Sequence, residues 1–166
     1  MITFGILTVS DKGSRGERRD KSGETIREMV EHLGSSVVKY DIVPDEADII
    51  AGRIKEWADG GEMDVILTTG GTGLSRRDVT PEATLSVIDK EVPGIAEAMR
   101  VKSMEKTPMA MLSRAVAGLR GQCLIINLPG SPKAVEECLE VVLLALPHAV
   151  EIIRGEVTEH NIRMPG

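Results

Sequence analysis

The feature that most constrains the fold is an alternation of short apolar runs with amphipathic segments in the first 69 residues. Residues 4–10, 37–43 and 64–69 are apolar runs of strand length. Between them, residues 25–33 and 49–57 place apolar side chains at helical spacing, and glycines follow both segments. Five elements in this order are typical of a parallel sheet with helices on both faces. The sequence therefore predicts an α/β fold.

Further elements are predicted after the third strand. Two helices and two strands joined by a turn are expected at residues 81–89, 95–101, 115–119 and 123–128. A broad apolar stripe over residues 135–153 predicts a last helix, which Pro147 should kink or break. Residues 11–22 are polar and glycine-rich, and we expect a loop there. We assign residues 1–153 to one domain and residues 154–166 to a polar C-terminal tail.

Composition argues against several classes of partner. The net charge is −6 and the chain has only three aromatic residues, so we expect no binding to nucleic acid or to anionic membranes. No uncharged apolar segment reaches the ~18 residues of a membrane span, and the first residues lack the pattern of a signal peptide. Cys123 and Cys138 lie in apolar surroundings, which favours reduced, buried thiols in a cytoplasmic protein.

The strongest candidate for a site is the segment of residues 67–84, where the third strand continues into a glycine-rich loop. Successive backbone N–H groups in such a loop can surround anionic oxygens. Asp78 is a hard oxygen ligand of the kind that Mg²⁺ uses beside phosphates, and Thr80 followed by Pro81 is typical of a capped helix start. We predict a nucleotide site here, and the alternative is a structural glycine turn with solvated arginines. The phosphate-binding candidates in the loop are Gly70, Gly71, Thr72, Gly73 and Arg77.

Other polar residues follow the remaining strands of the predicted sheet. Ligands of open parallel sheets bind at the carboxyl ends of the strands, so Ser10, Asp11 and Asp45 should lie near the glycine loop. Ser10 and Asp11 are further candidates for binding ATP and its phosphates. Asp45 could equally cap the following helix, and Asp11 and Asp20 could be solvated loop charges. The turn after the last strand precedes another proline-started helix, where Ser131 could cap the helix or contact an anion. Its candidate residues are Asn127, Pro129, Gly130 and Ser131.

Together these motifs resemble the MogA/MoaB family of molybdopterin adenylyltransferases, which includes the G domain of gephyrin. Two motifs together make the match specific. They are Gly-Gly-Thr-Gly at residues 70–73 and Arg-Asp-Val-Thr-Pro-Glu-Ala-Thr at residues 77–84. Weaker matches extend the resemblance from residue 4 to about residue 153. They lie at residues 8–11, 20–23, 43–46, 110–115 and 127–130.

The resemblance implies a three-layer α/β/α domain with a mostly parallel, mixed sheet, assembled as a homotrimer. It implies that molybdopterin attacks the α-phosphorus of MgATP, which yields adenylylated molybdopterin and pyrophosphate. Asp45 and Asp78 match two essential acidic positions near the Mg²⁺ ion and the phosphates. Residues 70–73 match the phosphate-binding loop, and Ser113 falls on the pterin side, with the turn at residues 127–131. A downstream molybdate-insertion enzyme would be a protein partner.

Related domains occur in proteins with other functions, which remain alternatives. The molybdate-insertion enzyme needs additional domains, and the competence-damage-inducible protein hydrolyses nucleotide pyrophosphates. Both match residues 77–84 and the segment around Ser113 less closely. The remaining alternative is a molybdopterin-binding MoaB-like paralogue or scaffold protein with little or no catalytic activity. The presence of both Asp45 and Asp78 favours an enzyme.

Overall fold

The computed structural model describes residues 1–156. Within this range six strands form one sheet, and they are β1 (Thr3–Val9), β2 (Ser36–Val43), β3 (Val65–Thr69), β4 (Lys90–Glu91), β5 (Ala117–Arg120) and β6 (Cys123–Leu128). Their spatial order is β2-β1-β3-β6-β5-β4. The first four strands in that order are parallel, whereas β5 pairs antiparallel with both β6 and β4.

Helices connect the strands and cover the sheet. In residues 1–156 they are α1 (Asp11–Ser14), α2 (Lys21–His32), α3 (Ala47–Asp59), α4 (Thr80–Leu85), α5 (Pro93–Met104), a 3-10 helix (Pro108–Leu112), α6 (Pro132–Leu143) and α7 (Leu146–Ile153). None of these helices is long and apolar enough to span a membrane.

The core consists of two aliphatic layers, one on each face of the sheet. On one face, α2, α5, α6 and α7 pack on the sheet through residues such as Ile26, Met99 and Leu139. On the other face, α3 and α4 pack around Ile54 and Trp57. This arrangement confirms the predicted three-layer α/β/α fold with a mostly parallel, mixed sheet. Both cysteines are free and buried, as the sequence predicts.

The predicted loop at residues 11–22 is wrong in part, because it contains α1 and the start of α2. The hydroxyl of Ser10 caps α1 by accepting a hydrogen bond from the Gly13 N–H at 3.0 Å. The carboxylate of Asp20 caps α2 by accepting one from the Gly23 N–H, also at 3.0 Å. Side-chain caps satisfy N–H groups at a helix start, so polar residues can begin a helix before its apolar pattern does.

The helix predicted at residues 81–89 is also too long, since α4 ends at Leu85. Beyond it, the Asp89 N–H donates to the Leu119 carbonyl at 2.6 Å, and the chain joins the sheet as edge strand β4. The last apolar stripe is broken as predicted, with Pro147 in the first turn of α7. The part of the predicted tail at residues 157–166 lies outside the described residues.

Candidate functional site

The four parallel strands end at the same edge of the sheet, where the loops that follow them surround a cleft of about 750 Å³. Residues from all four loops line this cleft, including seven that the sequence analysis selected. They are Ser10, Asp45, Gly70, Gly71, Asp78, Gly130 and Ser131. The fold therefore brings these distant residues together, and the roles assigned to them stay predictions.

Two glycines of the loop after β3 have backbone conformations that other residues rarely adopt. The φ angle is +98° at Gly70 and +71° at Gly71. A Cβ atom would overlap the Val9 carbonyl oxygen at Gly70 and the Thr80 hydroxyl at Gly71. Glycine is therefore required at both positions by conformation and by close packing, and both residues line the cleft.

Thr80 shapes this loop and does not cap α4, contrary to the sequence prediction. The residue before it, Val79, occupies the cap position and makes no side-chain cap bond. The Thr80 hydroxyl is fully buried and donates to the Gly70 carbonyl at 2.9 Å, and its N–H donates to the Gly71 carbonyl at 3.1 Å. These two bonds hold the glycine loop against the first turn of the helix.

Asp45 forms a reciprocal pair with Asp11 and does not cap α3. The Asp11 N–H donates to Asp45 Oδ2 at 2.8 Å, and the Asp45 N–H donates to Asp11 Oδ1 at 3.0 Å. The cap position of α3 is Glu46, which makes no side-chain cap bond. The structure therefore links the loops after β1 and β2 through two carboxylates, and Asp11 is more than a solvated loop charge.

Arg77 contacts carboxylates of these same loops. Its Nε and Nη2 atoms donate to the two oxygens of Asp11 at 3.1 and 2.9 Å, and Nη2 also donates to Glu46 at 3.0 Å. Neither Arg77 nor Asp11 lines the cleft. Arg77 was predicted to bind phosphate, but in the structure its guanidinium ties the glycine-loop segment to Asp11.

The two predicted metal ligands, Asp45 and Asp78, lie close enough to influence one another. Burial raises the pKa of the Asp45 carboxyl, the hydrogen bond from the Asp11 N–H partly offsets this rise, and the negative charges of Asp11 and Asp78 add to it. In contrast, the hydrogen bond from Arg77 lowers the pKa of Asp11. A cation between Asp45 and Asp78 would relieve their repulsion.

These residues suit Mg²⁺ better than a metal held by protein alone. Within residues 1–156 no three His, Cys, Asp or Glu side chains form a potential metal-binding cluster. Mg²⁺ is commonly bound by one or two carboxylates and completed by waters and substrate phosphates. The pair of Asp45 and Asp78 beside an open glycine loop fits that pattern.

Ser113 lies at a second cavity of about 290 Å³ between α5, the 3-10 helix and α6. The cavity is largely apolar, and Met99 and Leu112 contribute to its wall. Three further predicted site residues line it, namely Thr72, Gly73 and Pro129. The sequence assigned Thr72 and Gly73 to the phosphate site, but both face the cavity of Ser113. Conversely, Gly130 and Ser131 were assigned to the pterin side, but both face the cleft of Asp45.

Asn127 reaches neither cavity, which corrects its prediction as a pterin-side residue. Its side chain is fully buried. Its amide nitrogen donates to the hydroxyls of Thr68 and Thr84 at 3.0 Å each, and its amide oxygen accepts from the Val116 N–H at 3.2 Å. With these partners Asn127 fastens β6 to β3, α4 and the segment before β5.

Ser131 caps α6, which was one of its two predicted roles, by accepting a hydrogen bond from the Ala134 N–H at 3.3 Å. The adjacent turn is held by Ser22, whose hydroxyl donates to the Gly130 carbonyl at 2.6 Å. Thr69 likewise donates to the Pro129 carbonyl at 2.6 Å. Both bonds fix the turn across the edge of the sheet.

Several residues of the cleft were not predicted from the sequence. Three cationic residues line the cleft, and they are Arg18 and Arg19 before α2 and Lys21 at its first position. Asp20, treated as a loop charge, accepts hydrogen bonds from the hydroxyls of Thr8, at 2.7 Å, and of Tyr40. The motif at residues 20–23 was the available signal for this region, whereas the long-range partner Tyr40 has no local signature.

Comparisons with known proteins agree with this architecture. The family model described as a probable molybdopterin binding domain matches residues 5–148. The molybdopterin adenylyltransferase of Helicobacter pylori strain J99 is 44% identical over 167 residues, which cover 98% of this chain and 95% of that protein. The Drosophila melanogaster molybdenum cofactor synthesis protein cinnamon is 46% identical over 158 residues, covering 95% of this chain but only 26% of that protein.

A solved structure supports the same family. The molybdopterin biosynthesis enzyme MoaB from Thermus thermophilus is 55% identical with a TM-score of 0.88, and the match covers 93% of this chain and 98% of that one. The family match extends over most of the domain, and the cleft and the glycine loop lie within it. The chain therefore belongs to the MogA/MoaB family of molybdopterin binding domains.

Proposed function

We propose that this chain is a molybdopterin adenylyltransferase of molybdenum cofactor biosynthesis. In the reaction, an oxygen of the terminal phosphate of molybdopterin bonds to the α-phosphorus of ATP. The bond from that phosphorus to the oxygen that bridges it to the β-phosphorus breaks, and pyrophosphate leaves with the bonding electrons. The observation that carries the proposal is the meeting of Asp45 and Asp78 beside the glycine loop in one cleft.

The chain's own residues would mainly bind and orient the two substrates. The backbone at Gly70 and Gly71 lets phosphate oxygens approach closely, and Arg18 and Lys21 place positive charge at the mouth of the same cleft. Asp45 and Asp78 would hold Mg²⁺, which supplies neutralisation of the phosphate charge that develops during transfer. No side-chain nucleophile is required, since the substrate phosphate attacks directly.

The second cavity, beside Ser113, is our candidate for the pterin side of the substrate. It adjoins the cleft through the glycine loop, because Gly71 lines the cleft and Thr72 and Gly73 line the cavity. We also propose that the protein works as a cytoplasmic homotrimer and passes its product to a molybdate-insertion enzyme. These statements rest on the family resemblance.

The test is to incubate the purified protein with molybdopterin and MgATP and to measure pyrophosphate and adenylylated pterin. Asp45→Asn and Asp78→Asn should each lower the turnover number by ~100-fold or more, because a charged contact that strengthens in the transition state is lost. Asp59→Asn, an exposed carboxylate at the end of α3, is the control and should retain activity.

Near wild-type turnover in Asp45→Asn or Asp78→Asn would exclude a catalytic role for the substituted residue. A wild-type protein that binds molybdopterin in a titration but releases no pyrophosphate would refute the enzyme and favour the binding or scaffold alternative. Omission of Mg²⁺ should abolish turnover, and activity that persists with a chelator would refute the assigned metal dependence.

A further inference from the structure

Arg114 directly contacts the loop that carries Asp78. Its backbone N–H donates to the Thr72 carbonyl at 2.9 Å. Its guanidinium donates from Nε to the Gly73 carbonyl at 2.7 Å and from Nη2 to the Asp78 carbonyl at 2.7 Å. The remaining Nη1 atom contacts the carboxylate of Glu82 on α4. One side chain therefore holds both ends of residues 73–78.

The carboxylate of Asp78 is positioned by this same short loop. The Ser75 N–H donates to Asp78 Oδ2 at 3.0 Å, and the Asp78 N–H donates to the Ser75 carbonyl at 3.0 Å. A Cβ atom on residue 73 would lie only 2.9 Å from the same Oδ2 atom, so the carboxylate folds back over the start of the loop. Its direction therefore depends on the separation of the two loop ends that Arg114 holds.

The segment that carries Arg114 also borders the second cavity. Ser113, the preceding residue, lines that cavity, and so does Arg100 of α5. Arg100 donates from Nη1 to the Ala115 carbonyl at 2.8 Å, which anchors the segment on its other side. A ligand in the second cavity would thus touch the residue next to Arg114 and the side chain that supports this segment.

We propose that Arg114 is a positioning residue that couples occupation of the second cavity to the placement of the Asp78 carboxylate in the cleft. The catalytic consequence and the choice of molybdopterin as the ligand of the second cavity rest on the proposed function, whereas the hydrogen bonds that would carry the coupling do not. The planar guanidinium presents five donors in a fixed fork and can serve three acceptors at once. A lysine ammonium is a point charge and cannot reproduce that span.

Arg114→Lys is the first test, with Arg120→Lys as the matched control. Arg120 also joins a carboxylate, that of Asp59, to a backbone carbonyl, that of Val87, but its side chain makes no hydrogen bond to residues 72–78. Because a displacement of about 1 Å in a catalytic group can cost ~100-fold, we expect kcat of Arg114→Lys to fall by ~10- to 100-fold. We expect KM for ATP to stay within about threefold of wild type, since the glycine loop remains.

The second measurement needs no turnover. Amide hydrogen exchange of residues 73–78 is followed with and without molybdopterin, in the absence of ATP. Molybdopterin should slow this exchange in the wild type and in Arg120→Lys, and it should leave exchange unchanged in Arg114→Lys. If that variant does not fold, Glu82→Gln replaces the charged anchor of the guanidinium by a neutral amide at an exposed site, and it should weaken the response to molybdopterin.

The exchange response decides the proposal independently of the reaction. A response to molybdopterin that survives in full in Arg114→Lys, or in Glu82→Gln where only that variant folds, would overturn the coupling. So would a wild-type protein that binds molybdopterin without any change in this loop. A wild type that shows the response but forms no adenylylated pterin would refute the proposed function while it upholds the role of Arg114.

Discussion

The glycines of the loop after β3 are needed for two different reasons. Gly70 and Gly71 have φ angles in the left-handed region, whereas Gly73 does not. At Gly73 the constraint is a single neighbour, the Asp78 carboxylate, which lies 2.9 Å from where a Cβ atom would be. A substitution at Gly73 should therefore affect the position of the Asp78 carboxylate without affecting the fold.

Gly73→Ala should lower kcat by about tenfold, because the new methyl group displaces the Asp78 carboxylate from its position in the cleft. The melting temperature should stay close to that of the wild type, since the backbone conformation is one that alanine adopts. Gly52→Ala in α3 is the control, as its Cβ atom would meet no neighbour. Steady-state kinetics and thermal unfolding of both variants provide the check, and wild-type kcat in Gly73→Ala would contradict this account.

The sequence predicted which residues meet at the cleft more successfully than it predicted their hydrogen-bond partners. Asp45 and Asp78 converge because parallel strands end at one edge of a sheet, a rule that needs only the order of elements. Asn127 was misplaced because its partners, Thr68 and Thr84, come from distant parts of the chain. A local pattern cannot distinguish a ligand-binding amide from one that is satisfied in the core.

At the scale of elements, the spacing of apolar residues predicted the strands and the longer helices. It failed where polar contacts determine the residue at which a helix begins or ends. Helix α2 begins several residues before its apolar stripe because Asp20 caps it. Helix α4 ends early because the following residues pair with β5 at the edge of the sheet. In both places a side-chain cap or a long-range strand pair overrides the local periodicity.

The junction of α7 with the sheet depends on a partly buried ion pair whose strength should change with pH. Arg154, at the end of α7, donates two hydrogen bonds, at 3.1 and 2.7 Å, to the carboxylate of Asp64, which precedes β3. Burial raises the pKa of Asp64, but the hydrogen bonds from Arg154 and Thr3 more than offset it, so the pKa is lowered. Because the pKa of Asp64 is lower in the folded than in the unfolded chain, its carboxylate stabilises the fold at every pH above the unfolded-state pKa. This contribution is lost as the pH falls through the folded-state pKa.

Arg154→Gln should therefore reduce the free energy of unfolding at neutral pH, since it leaves the half-buried Asp64 carboxylate without its cationic partner. The difference from wild type should shrink as the pH falls below ~4. It should vanish only once the pH is below the lowered pKa of Asp64 in the folded wild type, where the carboxyl is protonated in both proteins. Arg15→Gln removes a fully exposed pair with Glu17 and should have almost no effect. Urea unfolding at several pH values measures all three proteins, and a pH-independent difference for Arg154→Gln would show that the charge of Asp64 is not involved.

At the scale of the whole molecule, the two cavities lie on either side of the glycine loop, and exposed apolar side chains lie on α5 and the 3-10 helix. In helix α5, Ala96 and Met99 pack in the core of the same domain. Val101 and Met104 of α5 remain exposed, and so does Met111 of the 3-10 helix. Apolar side chains grouped at a surface commonly mark an interface between chains.

The predicted homotrimer should use this surface. Light scattering at micromolar concentration should give three times the mass of one chain, which is 17.9 kDa. Met111→Glu, at a side chain that is 58% exposed, should lower the mass to that of one chain, because a charge buried without a partner opposes association. Leu144→Glu, at a more exposed leucine between α6 and α7, should leave the trimer intact. A wild-type mass of one chain would refute the trimer, and a trimer that survives Met111→Glu would exclude Met111 from the core of its interface.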